Sequence, residues 1–338
     1  MASARAALQS IGSLKYILMA LFAGGIVLVA GFHYLFPPDR ILRVLGQPQV
    51  AGPVYSDFEV PFFRSLGDKV GGVIVEFAPA DSLAVSDSHR LEELKHGDWD
   101  VISLRFQESF NVEPALAMAD LPGSGPTFIE ARQATYQNLP QLELELSKKW
   151  SARLMGVWPF GPQILMCRKP ISRLSDIRGM RVRVSGEELA ELVMALDGIP
   201  ARIPFAATKR SLTEGLVDCA ITSLMSARSD QWTSLVSYAI DLPLKFAVNG
   251  YVISEKAWAS MNPQQQERLM KSFKTHVEGL WDFSQAQHLS ELQKHRCHKD
   301  CVLSKYQLME IAESHPDDIL WLQNYHRRLL SRYRTGAR

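Results

Sequence analysis

Asp176-Ile-Arg-Gly-Met-Arg-Val-Arg-Val-Ser185, followed further along by Glu214-Gly-Leu-Val-Asp-Cys-Ala-Ile-Thr-Ser223, decides how this chain folds. The residue types change period at each boundary, so the region reads as a turn, a short strand, a capped helix and a second strand. In Arg181-Val-Arg-Val184 valines alternate with arginines, giving the strand one apolar face and one face of guanidinium groups. Ser185 and Glu188 have the spacing of a capping box, and the apolar-rich helix from Glu187 to Leu196 stops at Gly198.

A parallel strand feeding a helix is apolar on both faces unless its end opens into a crevice. The carboxyl ends of such strands are where open α/β sheets bind ligands. Arg183 sits at that end. The next helix brings its unpaired N–H groups and positive dipole end to the same place, so two independent features favour an anion there. The alternative for Arg183 is a solvated or ion-paired surface residue.

Gly179-Met-Arg-Val-Arg-Val, the Leu-Asp-Gly helix end, Phe205 and Glu214-Gly-Leu-Val-Asp together resemble the second domain of the solute-binding proteins of tripartite ATP-independent periplasmic (TRAP) transporters. The likeness extends to Glu59-Val-Pro-Phe-Phe-Arg-Ser-Leu and His96-Gly-Asp-Trp-Asp-Val, and so runs from about Arg40 to about His288. It implies that Arg183 clamps a ligand carboxylate and that the ring of Phe205 packs on the ligand. A second arginine of the family falls, by counting back, on the uncharged Gln163, and a family asparagine falls on Thr222. The resemblance further implies closure of two lobes over a small organic acid, delivery to a membrane permease driven by an ion gradient, and no cofactor.

The chain has 338 residues, 46% hydrophobic and 22% charged, with formal net charge +1, which bounds it to a globular protein of about two domains. Near-neutral balance gives no basic excess for nucleic acid. Leu14 to Phe36 is the only long apolar run, and about 20 such residues cross a bilayer core. Arg5 and Lys15 precede or open it, with no acidic residue before it, so the amino terminus stays in the cytoplasm and the rest is sent outward. The run is a retained anchor, a cleaved signal peptide or a buried core helix. It exceeds the usual signal core of about 7 to 15 residues, and Leu28-Val-Ala30 is a poor cleavage site, both of which favour retention.

Ile41 to Leu45 reads as the first strand and Gly46-Gln47 as its exit turn, which sets backbone at the crevice and makes Gln47 a ligand-binding candidate. A helix at Glu59 to Leu66, a strand at Val73 to Phe77, a helix at Ser88 to Lys95 and a strand at Val101 to Ser103 follow in β-α-β-α-β order, the pattern of a parallel sheet flanked by helices. Arg105 to Pro126 reads as a loop with a helical turn, and Pro140 to Trp150 has no clear amphipathic period. Trp158-Pro-Phe-Gly-Pro-Gln163 reads as a crossing between lobes, whose aromatic rings either stack on a ligand or pack at a hinge.

Phe205 precedes a helix from Ala206 to Glu214, and Thr222, at the end of the strand from Asp218, can donate its hydroxyl to a carboxylate. On the residues alone Phe205 is equally a core aromatic. Leu244 to Ile253 reads as one long strand serving both lobes, and Asn262-Pro-Gln opens a helix continuing to about Gln293, long enough to span both. Cys167 and Cys219, in strands, read as buried small apolar residues. Cys297 and Cys301 form a disulfide, stay free, or, with His295 and His298, bind a metal. The basic end from Tyr325 to Arg338 faces lipid, a transporter partner or water.

No Gly-x-Ser-x-Gly, Gly-x-x-x-x-Gly-Lys, His-Glu-x-x-His or Gly-x-Gly-x-x-Gly motif is present, so nothing in the sequence points to catalysis. The expected fold is α/β and two-lobed, of the periplasmic-binding-protein type. Each lobe is a mainly parallel sheet flanked by helices, with a long C-terminal helix across both and an N-terminal transmembrane or signal helix. The expected organisation is signal anchor or signal peptide 1–38, lobe I 39–157, lobe II 158–243, shared strand and long helix 244–296, and tail 297–338. The expected function is capture of a small organic anion by Arg183, Gln163, Phe205, Thr222, Trp158 and Gln47, in the periplasm, free or anchored to the inner membrane by residues 14–36. A membrane-tethered ligand sensor or scaffold with the same fold is the second reading, and an extracytoplasmic enzyme the third.

Overall fold

The computed structural model describes residues 40–82, 86–109, 112–296 and 309–335. The apolar run Leu14 to Phe36 and the tail from Cys297 to Leu308, with Cys297, His298 and Cys301, lie outside the described residues. Among the described residues no helix is long and apolar enough to cross a membrane.

The chain begins with β1 (Arg40–Gly46), α1 (Val60–Val70), β2 (Val73–Pro79), α2 (Arg90–His96), β3 (Val101–Arg105), α3 (Phe106–Ser109), α4 (Phe128–Trp150) and β4 (Ala152–Pro159). It continues with β5 (Ile164–Cys167), β6 (Arg181–Val184), α5 (Glu187–Ala195), β7 (Ile199–Arg202), α6 (Phe205–Thr213), β8 (Cys219–Thr222), α7 (Leu224–Ser229) and β9 (Tyr238–Asp241). It returns through β10 (Val248–Ser254), α8 (Glu255–Ala259), α9 (Pro263–Arg296), β11 (Glu310–Glu313) and α10 (Pro316–Thr335). Two sheets result, ordered β2-β1-β3-β10-β4 and β11-β9-β5-β8-β6-β7.

Both sheets are mixed rather than mainly parallel. In the first, β1 runs parallel to β2 and β3, while β10 is antiparallel to β3 and β4. In the second, β6 is parallel to β7 and β8, and β5 is antiparallel to β8 and β9. The antiparallel members are the strands beside the crossings, where the chain changes sheet and must reverse.

Apolar faces meet as layers. Leu42, Val44, Phe63, Leu66, Leu269 and Phe273 pack α1 and α9 on one face of the first sheet, and Leu45, Leu91, Leu104, Leu142 and Leu146 pack α2 and α4 on the other. Val182, Val184, Leu189, Val193, Leu322 and Leu329 join α5 and α10 to the second sheet, whose opposite face carries Leu212, Trp232 and Leu292. Helix α9 therefore belongs to both: Val277 and Leu280 lie in the first core and Leu292 in the second. Its start is a reciprocal cap, with Gln265 N donating to Asn262 Oδ1 at 2.9 Å and Asn262 N to Gln265 Oε1 at 3.1 Å.

Four further readings need correction. Pro140 to Trp150 is the second half of a 23-residue helix, α4. Its buried stripe includes Thr135 and Asn138, which blurs the apolar period, and Thr127 caps it by accepting from Glu130 N. Ser185 does not cap α5: the N-cap is Gly186, and the Ser185 hydroxyl donates instead to Gln107 Oε1 at 3.2 Å. The long strand from Leu244 is interrupted at Ala247, whose φ of 52° is left-handed, so β10 starts at Val248. Cys167 and Cys219 are joined as a disulfide, because β5 and β8 pair with these two residues directly opposite.

Candidate functional site

Strand direction fixes where the site lies. Because β10 is antiparallel to both β3 and β4, the carboxyl end of β4 falls on the same edge as those of β1 and β3: Asn249 is opposite both Arg105 and Trp158. In the second sheet the carboxyl ends of β6 and β8 share an edge with the start of β5, where Ile164 is opposite Thr222. The chain leaves the first edge and enters the second through residues 160–163, and residues 244–247 run back beside them. Phe160 N donates to Ala247 O at 3.1 Å, Gly161 N to Phe246 O at 3.2 Å and Gln163 N to Lys245 O at 2.7 Å. The carboxyl edges of the two sheets therefore face one another across a double-stranded seam.

Arg183 lies on the second edge and is 3% exposed. Its Nε donates to Ile203 O at 2.8 Å and its Nη1 to Ile221 O at 3.1 Å, so the carbonyls at the ends of the two neighbouring strands hold the guanidinium fork. Its Cζ lies 5.5 Å from the centroid of the Trp232 ring, in cation–π range. Burial pulls its pKa down to about 10, partly offset by the charge of Glu108 on α3 of the first sheet, and the group is still cationic at neutral pH.

Three further predicted residues share this edge. Thr222 follows Ile221, Phe205 begins α6 two residues after Ile203, and Gln163 precedes Ile164. The Phe205 ring lies 4.9 Å from that of Trp232, which makes Trp232 the aromatic floor shared by Phe205 and Arg183. The Gln163 amide donates to Gly161 O at 2.9 Å. Trp232 itself carries no sequence signal; its indole N–H donates to Asp230 at 2.7 Å.

Gln47 and Trp158 lie on the opposite edge. Both are fully buried. Trp158 is the penultimate residue of β4 rather than the start of the crossing, with its ring 5.1 Å from that of Phe160 and 6.0 Å from that of Tyr251. A recess of about 520 Å³ lined by Tyr55, Phe63, Arg64 and Phe77 lies beside β2 and contains none of the predicted site residues.

Two sheets with facing carboxyl edges and a buried, carbonyl-anchored guanidinium on one of them suit a ligand cleft. The family described as bacterial extracellular solute-binding protein, family 7 (DctP) matches residues 53–315. The chain belongs to this family. It is thus a solute-binding protein and not an enzyme. A solute-binding protein of Roseobacter denitrificans is 24% identical over 136 residues, 40% of this chain and 42% of that relative, so the match spans less than half of each. The crystal structure of DctP7, a Bordetella pertussis extracytoplasmic solute receptor binding pyroglutamic acid, superposes with a TM-score of 0.73 at 15% identity, over 88% of this chain and 95% of that one. A TRAP periplasmic solute binding protein from Desulfovibrio desulfuricans with bound sn-glycerol-3-phosphate gives 0.73 at 17%, over 87% and 94%. One from Pseudomonas aeruginosa PAO1 with bound L-malate gives 0.69 at 14%, over 87% and 100%. At these identities the likeness is one of fold.

Two polar clusters support the seam of this DctP-family protein, and the sequence announced neither. Lys245, on the returning segment, is bonded to Glu188 of α5 and lies 3.4 Å from Asp120 Oδ2, all three buried. Desolvation works against the ammonium, but the two carboxylates outweigh it and hold the Lys245 pKa above its usual range. Asp120 also accepts from Phe246 N at 2.8 Å and Val248 N at 2.9 Å, while burial raises its pKa. This cluster fixes the returning segment to both sides of the seam.

The second cluster stands behind the end of β1. Glu59 accepts from Gln47 N at 2.7 Å and from the Tyr251 hydroxyl at 2.9 Å, and that hydroxyl lies 3.1 Å from His276 Nε2. Burial raises the Glu59 pKa to about 7. It lowers that of His276, stacked on Phe62 at 3.9 Å, to about 3. His276 is therefore neutral in the folded protein across the physiological range.

Proposed function

We propose that this protein captures a small organic carboxylate between its two lobes, with Arg183 as the clamp, and delivers it in the periplasm to the membrane permease of a TRAP-type, ion-gradient-driven transporter. The single observation that supports this reading is the buried Arg183 guanidinium. Two of its five N–H donors are held by Ile203 and Ile221 carbonyls, which leaves the rest for a bidentate carboxylate. Thr222 supplies a hydroxyl beside it, Phe205 and Trp232 an aromatic wall, Gln163 a neutral neighbour, and Gln47 and Trp158 the opposite edge. Relatives of the same fold with bound pyroglutamic acid, glycerol phosphate or malate support an anionic solute.

Lobe I, 39–157, and lobe II, 158–243, close about residues 160–163 and 244–247, with α9 tying them together. Closure traps the acid and presents one shape to the permease. A charge-assisted hydrogen bond contributes about 1.5–3 kcal/mol, so losing the clamp weakens binding by at least about tenfold. The test is calorimetry of Arg183→Ala with whatever acid copurifies and is identified by mass spectrometry, alongside a melting curve to show that the variant folds. Unchanged affinity for that acid overturns the reading.

A further inference from the structure

Helix α4 buries Ala131, Leu142 and Leu146 in the core of the first sheet and turns its other side outward. On that outer side Ile129, Tyr136 and Leu144 are 68%, 42% and 44% exposed, and Pro140 is exposed as well. Steps of seven, four and four residues set these four in one line along the helix, about 22 Å long at 1.5 Å per residue, with the polar Gln133 among them. Single exposed apolar side chains are ordinary on a protein surface, but four in line on one helix have the form of a contact face. The Arg132 guanidinium is held beside it, with Cζ 5.7 Å from the centroid of the Tyr136 ring and 5.6 Å from that of Trp281 on α9.

The flanks of the line say what it fits. At 3.6 residues per turn Arg132 and Glu143 lie on one side of it, and Glu130 and Lys148 on the other, with Gln137 and Gln141 between them. All but the half-buried Arg132 are exposed. Two copies of α4 related by a twofold axis through the middle of the line run antiparallel, and each flank then meets the same flank of the other copy. Counted from Asn138, Arg132 is six residues back and Glu143 five ahead, so each faces the other on the partner helix. Glu130, eight back, faces Lys148, ten ahead, and Gln137, one back, faces Gln141, three ahead. Tyr136 and Pro140 are both two from the middle, ring against ring. Opposite charges therefore meet along both flanks in a single register. Glu145 and Lys149 take no part, being paired with each other at 2.9 Å. We propose that this face is an interface between two copies of the chain, joined antiparallel along α4 about a twofold axis near Asn138. It does not depend on which solute is bound. One helix pair stands at the low end of the about 1,200–2,000 Å² that specific interfaces bury, so the dimer is weak, with a dissociation constant of about 10–100 µM.

The test is sedimentation of the purified full chain in a density-matched detergent from about 1 to 300 µM, where a monomer–dimer equilibrium is expected. Arg132→Glu and Glu143→Arg each set like charges together twice per dimer, and each is expected to weaken association about tenfold or more. Combined in one chain, the two exchanges bring opposite charges together again and are expected to return the affinity to within about threefold of the parent. Melting curves show which variants are folded, and Tyr136→Asp, at the centre of the face, is expected to abolish the dimer and serves where a charge variant does not fold. A chain that stays monomeric over the whole range, or a dimer that survives the single exchanges or Tyr136→Asp, overturns the inference. So does a folded double variant that remains as weak as the singles, because their effect is then the loss of the Arg132 contact with Trp281, which the double variant does not repair.

Discussion

The ammonium of Lys245 is bonded to the carboxylate of Glu188, and both side chains are 2% exposed. With Asp120 as the second anion, the lysine sits between two buried carboxylates. Removing one member of a buried ion cluster costs about 3–5 kcal/mol, because the charge left behind has lost its compensation. Lys245→Met is expected to lower the unfolding free energy by that amount in urea melts. Glu188→Gln, which leaves Asp120 to hold the lysine, is expected to cost less. A loss below about 1 kcal/mol for Lys245→Met would show that the cluster contributes little.

This cluster also marks the limit of what the sequence could tell. The Arg-Val-Arg-Val alternation located the buried guanidinium, since a period of two assigns faces without knowledge of neighbours, and the strand ends named Thr222 and Gln47 by the same logic. The members of the ion cluster are 57 residues apart for Lys245 and Glu188 and lie on three different segments, so no local pattern links them. Trp232 is an isolated aromatic in the sequence, and its contacts with Arg183 and Phe205 are made only by the fold. The Ser185 capping box failed because Gly186 supplies the turn into α5 while the Glu188 side chain is drawn to Lys245. Strand pairing partners are long-range facts, which is why mixed sheets and the cysteine pair were not readable.

Glu59 makes stability depend on pH in a direction that can be assigned. Its pKa rises from an ordinary 4.5 to about 7 in the folded state, chiefly through burial. Between those values the folded protein binds the proton that the unfolded chain has released, so stability falls as pH rises through that window and is level above it. His276, lowered from 6.5 to about 3, has the opposite sign, adding stability as pH rises from about 3 to its ordinary 6.5 and levelling off above it. Comparison with Glu59→Gln isolates the first contribution. The wild type is expected to lose about 3 kcal/mol relative to the variant between pH 4.5 and pH 7.5, read from denaturation curves at intervals. Parallel curves for the two proteins would refute the shift.

The Cys167–Cys219 bridge closes a loop with a sequence separation of 52 residues that contains β6, α5, β7 and α6. Constraining a loop of that length in the unfolded chain is expected to add about 2–4 kcal/mol. Cys167→Ala/Cys219→Ala should therefore melt lower than the oxidised protein by a margin that reductant reproduces in the parent. A parent whose melting point ignores complete reduction would mean that the bridge is energetically idle.

Gln163 offers the sharpest test of how the seam counts charge. It is 6% exposed, its backbone is paired with Lys245 and Leu244, and it stands one residue before Ile164, opposite Thr222. Thr222 in turn follows the carbonyl that anchors Arg183. An arginine introduced here places a second guanidinium on the same edge as the first, at the position where the family resemblance sets one. It must be buried, so Gln163→Arg is expected to cost about 1–3 kcal/mol of stability without ligand. A dianion would repay part of that cost. L-Malate should accordingly bind the variant about tenfold tighter than it binds the parent, with a larger rise in melting point on addition of malate. Calorimetry that finds malate no tighter on a folded variant would place Gln163 outside the reach of the bound acid and leave Arg183 as the only cation that meets it.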